Sequence, residues 1–115
     1  PSNITWRILT DLGQLQEIDT LSFEKPVLIF KHSTRCSISR FALKNFEKEY
    51  DFSETTLIHY FLDLLEHRAI SNELANHFNV MHQSTQILII KDGKCNYTNS
   101  HDGIDALQLK EVIVS

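Results

Sequence analysis

Three short apolar runs, separated by stretches with helical periodicity, constrain the fold more than any other feature of this 115-residue chain. The runs are rich in β-branched and aromatic residues, and they cover 27–30, 56–62 and 87–90. Largely continuous apolar character is typical of strands that are covered on both faces by helices. The sequence therefore predicts an α/β fold built on a buried central sheet.

Amphipathic segments lie before, between and after these runs. Apolar residues at helical spacing predict four helices, over about 11–22, 36–50, 66–78 and 102–114. We expect Thr10 or Asp11 to cap the first helix. The second helix is predicted to bury one apolar stripe, made of Ile38, Phe41, Ala42 and Phe46.

The connections between these elements predict the topology of the sheet. A helix between the first two runs predicts a right-handed β-α-β unit, in which the two strands are parallel. Asp92-Gly93 is a two-residue hairpin signal, which predicts an antiparallel return strand over 95–99 at the sheet edge. We therefore expect one domain over 1–115, with a four-stranded mixed sheet flanked by helices on both faces.

The charge and the apolar content exclude several classes of partner. The formal net charge is −4 and Lys and Arg are scattered, whereas nucleic acids and acidic membranes require clustered cations. No apolar run approaches the roughly 20 residues of a membrane span, and no signal-peptide pattern opens the chain. We expect a cytoplasmic protein that binds neither nucleic acid nor membrane; its oligomeric state stays open.

Cys36 lies where the first apolar run gives way to an amphipathic helix. Unpaired N–H groups and the helix dipole at such a junction stabilise an anion and so favour the reactive thiolate. Ser39 stands three residues later, where a Cys-x-x-Cys redox motif has its second sulfur. The pattern predicts a catalytic cysteine that works without a resolving partner in the same motif.

Three segments resemble the YtxJ-type monothiol bacilliredoxins, which belong to the thioredoxin-like superfamily. They are Phe-Lys-His-Ser-Thr-Arg-Cys-Ser-Ile-Ser at 30–39, Val-Met-His-Gln-Ser-Thr-Gln at 80–86 and Lys-Asp-Gly-Lys at 91–94. The resemblance implies a thioredoxin-like fold, Cys36 as the active cysteine, and bacillithiol, a small bacterial thiol, as co-substrate with no other cofactor. S-thiolated proteins are then the expected partners.

The sequence departs from that family pattern at two positions. Ser37 follows the cysteine where the family has Pro, and Ser84-Thr85-Gln86 replaces Ser-Pro-Gln before the third apolar run. A cis bond before a residue other than proline costs about 3–4 kcal/mol, so we expect a trans Ser84–Thr85 peptide. In the family fold this loop faces the thiol and offers its backbone to the substrate.

Several side chains near Cys36 are candidates for tuning its thiolate or binding substrate. Arg35, and with it Lys31 or His32, would add positive charge. The hydroxyls either hydrogen-bond the thiolate or cap the helix, and both roles stay open. The full set of candidates is His32, Ser33, Thr34, Arg35, Ser37, Ser39, Ser84 and Thr85.

Other functional interpretations of the cysteines and histidines are weaker. His32, Cys36 and His82 could supply three metal ligands, but their spacing matches no zinc signature, so we expect no metal site. Cys95 is interpreted as a small packing residue rather than a resolving cysteine. Among the aromatic residues, Trp6, Phe41 and Phe46 are expected in the core.

The sequence favours a monothiol thiol–disulfide oxidoreductase that reduces mixed disulfides between proteins and a small thiol through Cys36. A redox alternative acts on glutathione or coenzyme A disulfides, or on peroxide. A non-catalytic alternative is a thioredoxin-like module that binds a partner protein through the loops at Cys36 and Ser84-Thr85.

Overall fold

A computed structural model describes residues 4–50 and 57–114 of the chain. It contains five strands and four α-helices with one short 3-10 turn. In chain order these are β1 Arg7–Ile8, α1 Gln14–Leu21, β2 Val27–His32, α2 Ser37–Glu49, β3 Ile58–Asp63, α3 Arg68–His77, β4 Gln86–Lys91, β5 Lys94–Ser100, the 3-10 turn His101–Gly103 and α4 Ala106–Val114.

The strands form one mixed sheet in the order β1-β3-β2-β4-β5. Strands β1, β3 and β2 are parallel, whereas β4 is antiparallel to β2 and β5 is antiparallel to β4. The predicted count of four strands is therefore wrong by one. Strand β1 pairs only Arg7 with Tyr60 and Ile8 with Phe61, and two exposed residues are too few to produce a period-two pattern.

Helices cover both faces of the sheet, as predicted. On one face α1 and α3 bury Ile18 and Leu74 against Ile29, and on the other α2 and α4 bury Phe46 and Leu109 against Phe30. Successive side chains of β2 alternate between these two layers because of the strand's pleat. All six residues of β2 are buried, which explains the continuous apolar run at 27–30.

The hairpin between β4 and β5 has the predicted geometry. Asp92 and Gly93 both have positive φ, 53° and 76°, as a type I′ turn requires. Strand β5 lies at the sheet edge, as its polar sequence indicated. Cys95 on this strand packs against the layer of α1 and α3, and its thiol donates a hydrogen bond to the Tyr97 carbonyl at 3.3 Å.

The buried face of α2 differs from the predicted stripe. Ile38 and Phe41 are 66% and 67% exposed, so the prediction that both lie in the core is wrong. The fully buried positions of the helix are Ser39 and Phe46. A hydrogen-bonded serine fills the first turn of the inner face, and a pattern built on apolar residues alone therefore misplaced that face.

Helix α1 begins later than predicted, and neither Thr10 nor Asp11 caps it with a side chain. Instead the side-chain oxygen of Gln14 accepts the backbone N–H groups of Thr10 and Asp11, at 2.7 and 2.9 Å. The side chain of Gln14, the first residue of α1, thus fixes the backbone that leads into the helix. Among the helices of the described residues, none is long and apolar enough to cross a bilayer.

Candidate active site around Cys36

Cys36 is the N-cap residue of α2. The helix begins at Ser37, one residue later than predicted. Its φ and ψ are −103° and 121°, its carbonyl accepts the Arg40 N–H at 3.0 Å, and its N–H donates to the Ser33 carbonyl at 3.2 Å. The side chain is partly exposed and makes no capping hydrogen bond. The thiol is thus accessible where the backbone N–H groups of a helix are unpaired.

A buried polar cluster, the Ser39 cluster, lies in the first turn of α2. The Ser39 oxygen accepts the Ser33 N–H at 3.0 Å and the Thr85 hydroxyl, and it lies 2.9 Å from Nδ1 of His32. Both lone pairs of that oxygen are therefore occupied, so its proton is donated to His32 Nδ1. This assignment places the imidazole proton of neutral His32 on Nε2.

His32 does not supply the positive charge that the sequence suggested for it. Burial lowers its pKa, and the nearby Arg40 lowers it further, against the opposite effects of Asp63 and Glu47. The imidazole is therefore neutral near pH 7. Its role in the site is to accept the hydrogen bond that the Ser39 hydroxyl donates.

Lys31 points to the opposite layer of the sheet from His32. Its ammonium group is fully buried, donates to the side-chain oxygen of Gln86 at 3.1 Å, and lies 2.8 Å from Nδ1 of His82. Burial lowers the pKa of Lys31 to about 8. At pH 7 the ammonium is still mostly charged. Since it has no acceptor lone pair, it donates this hydrogen bond and His82 Nδ1 accepts it.

The Ser84–Thr85 peptide is cis, so the prediction of a trans bond is wrong. That prediction weighed only the intrinsic preference of a bond before threonine. In the fold Thr85 is 2% exposed, its carbonyl accepts the His101 N–H at 3.1 Å, and its hydroxyl donates to Ser39. Tertiary contacts from α2 and from the 3-10 turn that follows β5 therefore hold this residue in place.

A groove of about 420 Å³ opens at the carboxyl edge of β2 and β3, and its lining includes Arg35, which directly precedes Cys36 in the chain. Its lining comes from the loops that follow the two strands and from the start of α3, namely Thr34, Arg35, Asp63, Leu65, Glu66 and Arg68. The sequence singled out Thr34 and Arg35 but missed the other four. The signal was present, because parallel strands end at one edge and bring their following loops together.

The remaining candidate residues differ in their exposure and in their hydrogen bonds. Ser33 is buried and belongs to the Ser39 cluster through its backbone. Thr34 is exposed and its carbonyl accepts the Arg40 guanidinium at 2.9 Å, whereas Ser37 is exposed and Ser84 is partly buried. Of the hydroxyls proposed as thiolate partners or caps, Ser39 does neither, since its bonds go to the cluster.

The histidines considered as metal ligands serve other contacts. Nδ1 of His32 faces Ser39, and Nδ1 of His82 faces Lys31. Across 4–50 and 57–114 the structure contains no group of three or more potential ligands arranged to hold a metal ion. Cys95 lies on the edge strand, where burial raises the pKa of its thiol.

We expect the protein to lose stability as the pH falls below about 6.5, the value for an unperturbed histidine. Burial lowers the pKa of His32 in the fold, so as the pH falls the unfolded chain takes up this proton before the folded chain does. The slope is at most about 1.4 kcal/mol per pH unit for each proton. Urea unfolding between about pH 7.5 and 5.5 measures it.

A His32→Asn variant is the matched comparison, because the amide oxygen can still accept the Ser39 hydroxyl. Its free energy of unfolding should depend less steeply on pH over the same window. Equal slopes in the variant and the parent would show that protonation of His32 is not linked to unfolding.

Solved structures show the same fold. A protein with a thioredoxin fold, provisionally classed as an oxidoreductase, matches with a TM-score of 0.78 and 26% identity over 92% of this chain and 91% of its own. The thioredoxin of Malassezia sympodialis matches with 0.71 and 17% over 99% and 92%. That of Fasciola hepatica matches with 0.64 and 19% over 94% and 96%. The architecture is thioredoxin-like.

The sequence also matches a protein-family model, described as monothiol bacilliredoxin BrxC, over residues 7–109. The matched span runs from β1 into α4 and includes Cys36, the Ser39 cluster and the cis peptide. The fold and the family together indicate a thiol redox protein. This chain belongs to the monothiol bacilliredoxin BrxC family.

Proposed function

We propose that the protein removes a small thiol, bacillithiol, from mixed disulfides on proteins, as a monothiol oxidoreductase of the YtxJ type. One observation carries the proposal: a partly exposed cysteine occupies the N-cap position of α2, while the position of a second sulfur holds a serine whose hydroxyl is fully engaged. The arrangement offers one sulfur nucleophile at the start of the helix and no second thiol in the same motif to displace what it picks up.

The first step is attack by the Cys36 thiolate on the sulfur of the small thiol. A new disulfide forms between Cys36 and the small thiol, the old disulfide breaks, and its electron pair leaves on the protein sulfur, which then takes a proton. The attacking sulfur lies at the N-terminus of α2 and directly follows Arg35 in the chain. The substrate cysteine is reduced and Cys36 becomes oxidised to the mixed disulfide.

The second step requires a thiol from outside the protein. Ser39 cannot attack a disulfide, because a hydroxyl at neutral pH is not ionised and its proton is donated to His32. A second small thiol, supplied by a reducing cytoplasm, attacks as its thiolate the sulfur of the first. The bond to Cys36 breaks, Cys36 leaves with the electron pair and is restored, and the two small thiols depart as their symmetric disulfide. Bacillithiol is in this account a co-substrate, with no other cofactor.

Exposed apolar residues on α2 support a protein as the other half of the substrate. Ile38 and Phe41 follow Cys36 in the first turns and are about two-thirds exposed, at 66% and 67%. With His101 and Ile104 they border a shallow cavity of about 190 Å³. Apolar surface beside a reactive sulfur suits contact with a folded or partly unfolded protein chain.

The test is a transfer assay with a model protein whose single cysteine carries bacillithiol, run beside the same protein carrying glutathione or coenzyme A. We expect the free thiol of the model protein to reappear while this protein gains the mass of one small thiol. Fastest transfer from the bacillithiol form supports the named substrate.

Other outcomes assign the alternatives. Faster transfer from glutathione or coenzyme A would replace the small thiol, and faster reaction with hydrogen peroxide would indicate a peroxidase. Binding of the model protein without transfer would favour the non-catalytic module and contradict the proposal.

A further inference from the structure

We propose that the groove lined by Arg35, the residue before Cys36, binds small thiols that carry both carboxylate and amino groups, with Arg35 and Arg68 holding the carboxylates. The inference rests on the proposed exchange reaction and adds the residues that choose its small substrate. It concerns the groove lined by Thr34, Arg35, Asp63, Leu65, Glu66 and Arg68.

The groove is connected to Cys36 through Arg35, which lines it. Arg35 directly precedes the cysteine, and consecutive Cα atoms lie about 3.8 Å apart. The opposite wall begins at Asp63, which is in register with His32 across the parallel strands, and continues to Arg68 at the first position of α3. Its volume of about 420 Å³ lies within the range of small-molecule sites.

The two guanidinium groups are available for a ligand. Both side chains are exposed, and among the residues that the structure describes neither has a carboxylate within 4.0 Å. A guanidinium binds a carboxylate through two parallel hydrogen bonds, which gives orientation as well as affinity.

Two carboxylates balance the charge of the groove. Glu66 is exposed, and Asp63 uses one oxygen to accept the N–H groups of Leu65 and Glu66, at 3.1 and 3.3 Å. Two positive and two negative groups complement a zwitterion better than a ligand of one sign. A thiol with carboxylates and an amine therefore fits this groove, whereas neutral and purely cationic thiols lack the partners for Arg35 and Arg68.

The test compares rates of adduct formation on Cys36 with three disulfides: glutathione disulfide, the cationic cystamine and the neutral hydroxyethyl disulfide. In Arg68→Gln we expect glutathione disulfide to react about five- to tenfold more slowly, with the neutral probe within about twofold. Arg68→Lys should fall between, because it keeps the charge and loses the paired geometry. The rates are measured at physiological salt, which screens long-range attraction between charges, so that they report groups close to the bound disulfide.

Lys48→Gln is the matched control, since it removes one exposed positive charge from the far end of α2. Its rates should match the parent with all three probes. If Arg68→Gln slows every probe equally, or none, the groove assignment is overturned while the exchange reaction stands. If the parent protein reacts with no disulfide, the proposed function fails and this inference fails with it.

Discussion

A Cys36→Ser variant is expected to lose transfer of the small thiol by at least about 100-fold, because a hydroxyl is not ionised where a thiolate would be. The substitution changes one atom at a partly exposed N-cap position, and serine is among the preferred residues there. The fold should therefore be kept, which thermal unfolding can verify. The transfer assay with a thiolated model protein measures the loss.

Cys95→Ser is the matched control for that result. The Cys95 thiol is half-buried on the edge strand, burial raises its pKa, and it already donates to the Tyr97 carbonyl. We expect this variant to keep the transfer rate within about twofold, since such a thiol is a poor nucleophile. A Cys36→Ser protein that still transfers at the parent rate would contradict the assignment of Cys36.

A Ser39→Cys variant is expected to shorten the lifetime of the adduct on Cys36 by about 100-fold or more. A cysteine at position 39 creates the Cys-x-x-Cys spacing at a helix start that disulfide oxidoreductases use for an internal disulfide. An internal thiol acts at an effective concentration far above that of the free small thiol, so it expels the small thiol and forms an internal disulfide. Intact mass spectrometry over time follows both species.

Ser39→Ala separates this chemistry from damage to the site. It removes the hydroxyl that joins Ser33, His32 and Thr85 without adding sulfur. Losing a buried hydrogen-bonding group costs about 1–3 kcal/mol of stability, yet the adduct should persist as in the parent. Equal adduct lifetimes in the cysteine and alanine variants would show that position 39 does not determine monothiol behaviour.

The sequence predicted the parts of the fold that depend on local pattern. The buried strands, the four helices and the Asp92-Gly93 hairpin follow from apolar periodicity and turn chemistry, which act over a few residues. Strand β1 was missed because two residues have no period. The exposure of Ile38 and Phe41 was missed because Ser39 takes the inner position through hydrogen bonds that a hydropathy pattern does not count.

The site divides in the same way. Cys36 at the helix start and Ser39 in the second position are local features of one segment. The cis geometry at Ser84–Thr85, the neutral state of His32 and the groove wall at Arg68 depend on contacts between distant segments. A single sequence does not show which distant segments contact each other. The loop after β3 could still have been predicted to border the site, because parallel strands end at a shared edge of the sheet.

The most direct test of the central claim is to locate the small thiol after the transfer reaction in the parent protein. Peptide mapping by mass spectrometry, without reductant, assigns the added mass to a residue. We predict one adduct, on Cys36, that persists until a second small thiol is added. An adduct on Cys95 instead, or recovery of unmodified protein after the model protein has been reduced, would contradict the account.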